Sequence, residues 1–174
     1  MREPEGFREF VQRRSPALLR TAWMLTGDPA AAEDLLQTAL ARTWPHWDRV
    51  RHGHPEAYVR TAMVRTNASW RARFWHRERA TDLTSAGHGI SPRQYAVADH
   101  SGPVTDRVVL AEALAALPVR QRQAVVLRYF DDLAVREVAE IMNCSEGTVK
   151  SQTAKGLARL RETVGHDALV KEEL

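Results

Sequence analysis

The stretch DLAVREVAEIMNCSEGTVKSQTAKGLARLR, residues 132–161, decides the fold. It reads as two helices joined by a tight turn. Val135, Val138, Ala139 and Met142 recur at helical spacing and give the first helix one apolar face. Asn143, Cys144 and Ser145 interrupt that pattern with residues that favour turns and caps. Ser145 is placed to cap the second helix, and Glu146 follows in its first turn, at the positive end of the helix dipole. Val149, Thr153, Leu157 and Leu160 then form a buried stripe. Glu146, Gly147, Lys150, Ser151, Ala154 and Lys155 fall on or beside the outer face. A helix-turn-helix lays the N-terminal half of its second helix in the major groove, where small, hydroxyl and basic side chains suit base edges and phosphates. The plainer alternative is a helical hairpin with a solvated charged face.

Composition bounds the rest. A chain of 174 residues with 44% apolar content can build one core or two small helical ones. Net charge is only +3, so any affinity for nucleic acid has to come from local patches. One cysteine excludes an internal disulfide framework, and Cys144, in the turn, reads as a small packed thiol. No apolar run approaches the length of a membrane span, and MREPEGFREF is not a signal peptide, so the cytoplasm is the expected compartment.

Phe7, Phe10, Val11, Leu18, Ala22 and Leu25 predict an amphipathic first helix ending near Thr26-Gly27. Asp28-Pro29 is a cap followed by proline at the first helical position. The second helix runs to Trp44, with Leu35, Leu36, Ala39 and Leu40 inward and Glu33, Asp34 and Gln37 on a polar side. As composition alone reads it, that side is a solvated face. His46, His52 and His54 lie close together but lack the companion ligands of a metal site, so neither metal nor cofactor is expected. His54 is read as the cap of a third helix from Pro55 to about Arg79. There Val59, Ala62, Met63, Thr66, Trp70 and Phe74 face a core, and Arg60, Asn67, Arg71 and Trp75 form the neighbouring stripe. Arg65, Arg73, Arg77 and Arg79 add charge. Arginines interleaved with aromatic rings suit unpaired nucleic acid, since cations hold phosphates and rings stack on bases. Register favours the core for Trp70 and stacking for Trp75.

Residues 81–103 lose helical periodicity and collect Gly, Ser and Pro, which marks a flexible polar linker. Beyond it, residues 104–117 predict a helix stopped by Pro118. Residues 119–130 predict another, with Ala124, Val125, Leu127 and Tyr129 or Phe130 making apolar contacts. The acidic tail, HDALVKEEL, is expected to fray. The fold class is therefore all-α, two small helical domains with a helix-turn-helix in the second.

Three segments together carry a family resemblance: DPAAAEDLLQTALARTW at 28–44, AYVRTAMVRTNASWRAR at 57–73 and LAALPVRQRQAVVLRYFDDLAVREVAEIMNCSEGTVKSQTAKGLARLR at 114–161. The chain resembles bacterial RNA polymerase sigma factors of the extracytoplasmic-function (ECF) group, especially an actinobacterial-type branch. The resemblance implies region 2 over residues 1–80, a linker over 81–103, region 4 over 104–165 and a tail over 166–174. It implies that Asp28, Glu33, Asp34, Leu35, Leu36 and Gln37 dock on the coiled coil of the largest subunit of core RNA polymerase, which reverses the solvated-face reading. Asn67, Trp70, Arg71, Arg73 and Trp75, with Arg60 and Arg65 of the same helix, would recognise and open the minus-10 element and capture an unstacked base. Ser145, Glu146, Gly147, Thr148, Lys150, Ser151 and Lys155 would read the minus-35 element as duplex, with Arg120 and Arg128 on phosphates. The remaining apolar surface of region 4 would meet the flap of the second-largest subunit.

The chain departs from the family pattern at Arg65, where an asparagine is common, at Gln152-Thr153-Ala154-Lys155, and at Val135, where some relatives carry tyrosine. No promoter sequence is therefore read across. Control by a separate anti-sigma factor and control of the protein's own transcription are both open. A stand-alone helix-turn-helix repressor or activator would account for residues 104–165 but leave the second and third helices without a role. An enzyme has little support, because no nucleophile motif, phosphate-cradling loop or carboxylate–histidine arrangement is present.

Overall fold

The computed structural model describes residues 4–81 and 104–172, with side chains for 4–70 and 109–163. The described residues are helical, without a strand. In order the helices are α1 (Phe7–Thr26), α2 (Pro29–Thr43), the short α3 (Trp47–Val50), α4 (Pro55–Thr81), α5 (Val104–Ala116), α6 (Val119–Val125), α7 (Val135–Met142) and α8 (Glu146–Glu172). Residues 82–103, most of the expected linker, lie outside the described residues.

Local chemistry sets the corners. α1 stops at Gly27, whose φ of 77° is the left-handed region that glycine enters without steric cost, and whose amide bonds the Trp23 carbonyl at 2.7 Å. Asp28 then caps α2, its Oδ1 accepting from the Ala31 amide at 2.8 Å, with Pro29 at the first helical position. α2 gives way to a 3-10 turn, Trp44–His46. Against that turn Phe7 packs edge-on to Trp44 and Trp47, with ring centroids 4.9 and 5.0 Å away, and Trp47 Nε1 donates to the Glu5 carbonyl at 2.7 Å. This aromatic knot ties the N-terminal end of α1 to the turn after α2.

One core runs through both halves of the chain. Leu18, Ala22 and Leu25 of α1, Leu35 and Ala39 of α2, and Val59 and Met63 of α4 join Leu114 of α5, Val125 of α6, Val138 and Met142 of α7, and Val149 of α8. Each fully buried Leu, Val or Met side chain contributes about 1.5–3 kcal/mol by leaving water. The two expected domains thus rest directly on each other, α1 against α5 and α6 and α4 against α6 and α7.

Two local expectations are corrected. The helix over 119–130 widens into a π segment, Val126–Phe130, where the Asp131 amide reaches back five residues to the Val126 carbonyl. The extra residue rotates Tyr129 and Phe130 off the apolar face, leaving them 59% and 42% exposed, whereas Ala124, Val125, Val126 and Leu127 are buried. The expected tail from residue 166 is drawn into α8, whose backbone is helical to Glu172. Ala168, Leu169, Lys171 and Glu172 are good helix formers, and no proline intervenes.

Candidate nucleic-acid and partner interfaces

α7 and α8 form the helix-turn-helix, and its turn is built as its residues require. Asn143 takes φ 51°, a left-handed conformation asparagine tolerates, and the Cys144 amide closes on the Ala139 carbonyl at 3.0 Å. Ser145 Oγ accepts from the Thr148 amide at 3.1 Å and lies 2.9 Å from the Thr148 hydroxyl, so α8 starts with a satisfied cap. At the other end of the motif, Glu137 accepts from the Ala134 amide at 2.7 Å. Val138, Ala139, Ile141, Met142 and Val149 are buried and hold the two helices together. Ile141 completes that face although the spacing argument did not single it out.

Anchoring of α8 leaves its outer surface open. Ser145, Glu146, Gly147, Thr148, Lys150, Ser151 and Lys155 are all exposed. None of them makes an ion pair among the described residues. Further along, α8 crosses α6 at backbone distance over Gly156, where a Cβ would lie 2.7 Å from Val125 Cγ2 and 3.3 Å from the Gln121 carbonyl. Arg120 and Arg128 flank this surface with part of their guanidinium engaged. Arg120 Nη1 donates to the Met142 carbonyl at 2.9 Å, and Arg128 Nη1 donates to the Leu133 carbonyl. A guanidinium has five N–H donors, so both retain capacity for an anion.

The α2 residues separate into presenters and supports. Glu33, Asp34 and Gln37 are exposed, and neither carboxylate pairs with a described side chain. Leu35 and Leu36 are 0% and 6% exposed and lie in the core, while Asp28 serves as the cap. Leu35 and Leu36 therefore orient the acidic face and do not form its surface.

α4 departs most from its expected face assignment. Val59, Met63 and Thr66 are buried as the period requires, and Thr66 accepts from Arg42 Nη1 at 2.7 Å. Trp70 is half-buried and packs against the core, and Arg65 is exposed. Asn67, read as outward-facing, is only 4% exposed. Its Nδ2 donates to the Leu25 carbonyl at 3.4 Å, and its Oδ1 accepts from Gln123 Nε2 at 3.4 Å. Arg60 is engaged too, by Glu56 at 2.8 Å and Asp131 at 2.9 Å. Arg71, Arg73 and Trp75 lie on α4 beyond the residues whose side chains are described.

Sequence reasoning missed the groups that join the halves. Arg122 is 1% exposed and donates to the carbonyls of Leu25 at 2.8 Å, Ala115, and Leu117 at 3.1 Å. Gln123 also donates to the Val64 carbonyl at 3.0 Å. Asp131 accepts from the Thr21 hydroxyl at 2.6 Å besides pairing with Arg60. In sequence these residues look like an ordinary basic run and an acidic turn, and their partners in the other half lie 56 to 110 residues away. Nothing local signals them. Near the three histidines of the 46–54 segment, Arg51 Nε donates to His52 and His46 lies edge-on to Tyr58; among the described residues no metal-binding group of His, Cys, Asp or Glu is formed.

Comparison with known proteins fits this architecture. Residues 10–76 match the family model for sigma-70 region 2, and residues 107–160 match that for sigma-70 region 4. The chain is 38% identical to the RNA polymerase sigma-E factor of Streptomyces coelicolor over 93% of its own length and 88% of that protein. It is 28% identical to the ECF RNA polymerase sigma factor SigL of Mycobacterium tuberculosis over 90% of its length and 88% of SigL. A solved structure of the sigma factor RpoE of Bartonella quintana, in complex with the anti-sigma factor NepR, superposes with a TM-score of 0.72 at 25% identity, covering 93% of this chain and 98% of that one. With both regions matched in order, on a helical frame shared with a sigma factor, the chain belongs to the sigma-70 family of RNA polymerase sigma factors, in its ECF group.

Proposed function

We propose that this sigma factor reads its promoter through two helices with different tasks and docks on core polymerase through a third. As a member of its family it directs transcription initiation with core RNA polymerase on promoter DNA. The observation that carries the residue-level reading is the exposed row Thr148, Lys150, Ser151 and Lys155 on a capped helix whose opposite side is anchored by Val149. A helix presented this way enters the major groove by its N-terminal half, with Lys150, Ser151 and Lys155 on base edges and phosphates of the minus-35 element. Ser145 and Glu146 set the helix start there, Gly147 lets the backbone approach the duplex, and Arg120 and Arg128 clamp flanking phosphates.

The arginine-rich C-terminal half of α4 belongs to the minus-10 element in this proposal. Arg65, Arg71 and Arg73 supply cations for a melted strand, and Trp75 supplies a ring for an extruded base. Extrusion costs a few kcal/mol, which phosphate contacts and stacking offset. Glu33, Asp34 and Gln37 meet a basic surface of the polymerase largest subunit, where charge complementarity guides docking and fixes its orientation. Tyr129 and Phe130, exposed on region 4, are the aromatic pair offered to the polymerase flap.

Region 2 spans residues 1–80 and region 4 spans 104–165 in this scheme, and the chain supplies no catalytic group. No helix among the described residues is long and apolar enough to cross a membrane, in keeping with work in the cytoplasm beside polymerase. The neighbouring RpoE structure contains an anti-sigma factor, and an inhibitory protein partner of that kind is included in the proposal. The test is transcription in vitro by purified core polymerase over a mixed promoter library, with and without this chain. New discrete start sites that share two spaced elements are expected. Unchanged initiation, together with tight binding of the chain alone to a duplex palindrome, would return the protein to the stand-alone regulator reading.

A further inference from the structure

Where α4 runs past the end of α7, the surface is indented by a groove of about 390 Å³. Val64, Arg65, Ala68 and Ser69 line it from α4, as two neighbouring rows each spaced by one helical turn. Ile141, Met142 and Asn143 line it from the end of α7 and the turn after it, and Arg120 of α6 closes the set. Only two of these side chains are ionisable, Arg65 and Arg120, and both are cations. Both are exposed, and neither makes an ion pair among the described residues. Arg120 is steadied by one bond, from Nη1 to the Met142 carbonyl at 2.9 Å, which leaves most of its five N–H donors for another acceptor. The rest of the lining is apolar at Val64, Ala68, Ile141 and Met142. A mainly apolar pocket between two packed units, with a few convergent polar groups, is the general form of a small-molecule site. Two guanidiniums without a carboxylate among the lining residues give the cleft a positive potential, which its shape concentrates.

We propose that this groove binds a phosphate monoester of a small flat molecule, in the simplest case a mononucleotide, with its phosphate between Arg65 and Arg120 and its organic part over the apolar lining. A phosphate dianion matches two guanidiniums in charge, and its terminal oxygens can accept from both forks at once. The site goes beyond the promoter reading and does not depend on it. The two intersect at one point. Arg65 and Arg120 are read there as contacts to separate promoter elements, so on that reading the ligand and promoter DNA compete for them, and each weakens binding of the other.

Isothermal titration calorimetry of the full chain tests the site, at low salt and without divalent metal, with adenosine monophosphate, inorganic phosphate and adenosine as probes. The monophosphate is expected to bind about tenfold tighter than either of the others, because it alone engages both the arginines and the apolar lining. Arg65→Gln and Arg120→Gln should each weaken it about tenfold or more, since each removes charge-assisted bonds. Arg13→Gln removes the same charge from an exposed position on α1 outside the groove, and should change the affinity by less than about twofold. Ala68→Leu fills the groove without altering either arginine, and should bring the monophosphate down to the level of inorganic phosphate. Circular dichroism checks that each variant stays helical. Arg65→Gln is the decisive one, because replacing an exposed side chain without an ion pair leaves the fold nearly untouched.

Monophosphate bound no tighter than adenosine, or bound equally well by Arg65→Gln, would overturn the site. An equal loss in Arg13→Gln would overturn it too, by showing diffuse attraction to a basic chain. Equal affinities for the monophosphate and inorganic phosphate in the natural chain would overturn the part given to the apolar lining. Neither DNA nor polymerase enters the titration, so failure here leaves the promoter reading standing, and failure of the promoter reading leaves the titration unchanged.

Discussion

Gly156 is where α8 meets α6 most closely, and replacing it by alanine tests whether that contact sets the position of the recognition helix. The new Cβ would sit 2.7 Å from Val125 Cγ2, against a comfortable carbon–carbon separation of about 3.5 Å or more. It would also lie 3.3 Å from the Gln121 carbonyl. Val125 is 2% exposed and β-branched, so it has one favoured rotamer and no empty space to turn into. The two helices must separate, and overpacking of this kind costs about 1–3 kcal/mol. Alanine returns about 1 kcal/mol of helix propensity in the interior of α8. The balance is a loss of up to about 2 kcal/mol. Gly147→Ala provides the internal control, since its nearest neighbour, Ser145 Oγ, is 3.8 Å away and the change should gain about 0.5 kcal/mol. Urea unfolding followed by circular dichroism measures both, with the m-value checked for constancy. A Gly156→Ala protein more stable than the natural chain by the full helix-propensity gain of about 1 kcal/mol would refute the idea that α6 and α8 are in hard contact there.

Asp34→Arg reverses an exposed charge on the acidic face of α2, so stability should change by less than about 0.5 kcal/mol while binding to core polymerase falls; a pull-down with undiminished retention would remove Asp34 from the docking surface. Lys150→Ala should reduce the slope of log affinity against log salt on a minus-35 duplex by about one contact's worth. An unchanged slope with intact promoter preference would take Lys150 off the DNA. Arg122→Met removes the donor shared by the Leu25, Ala115 and Leu117 carbonyls and should lower unfolding free energy by roughly 3 kcal/mol. A denaturation midpoint equal to that of the natural chain would show that those carbonyls find other partners.

The parts of this molecule legible in its sequence are those whose causes are local. The Ser145 cap, the Asn143 turn and the Asp28-Pro29 start each depend on atoms within a few residues, and each forms as its residue types require. The period of α4 correctly put Val59, Met63 and Thr66 inside. It misplaced Asn67 because that side of α4 is covered by a second element, α6, whose Gln123 comes 56 residues later in the chain. Tyr129 and Phe130 were misassigned for a different reason. The π segment inserts a residue into the count, and a fixed 3.6-residue period has no way to register it. The exposed candidates on α8 and α2 were visible from spacing, but the buried polar residues Arg122, Gln123 and Asp131 were not. A guanidinium shared between the Leu25 carbonyl of α1 and those of Ala115 and Leu117 at the end of α5 has no signature in the residues around it.

That last tie has a consequence for how the protein is made. The Leu25 carbonyl receives Arg122 from 97 residues further along the chain, and also the Asn67 amide. At bacterial elongation rates of about 5–20 residues per second, Leu25 is synthesised roughly 5–20 seconds before Arg122. Until Arg122 and the rest of α6 are made, α1, α2 and α4 lack one wall of their shared core. Leu25, Val64 and Met63 then face water, and the nascent chain has every reason to hold a chaperone or a polymerase surface until its own second half arrives.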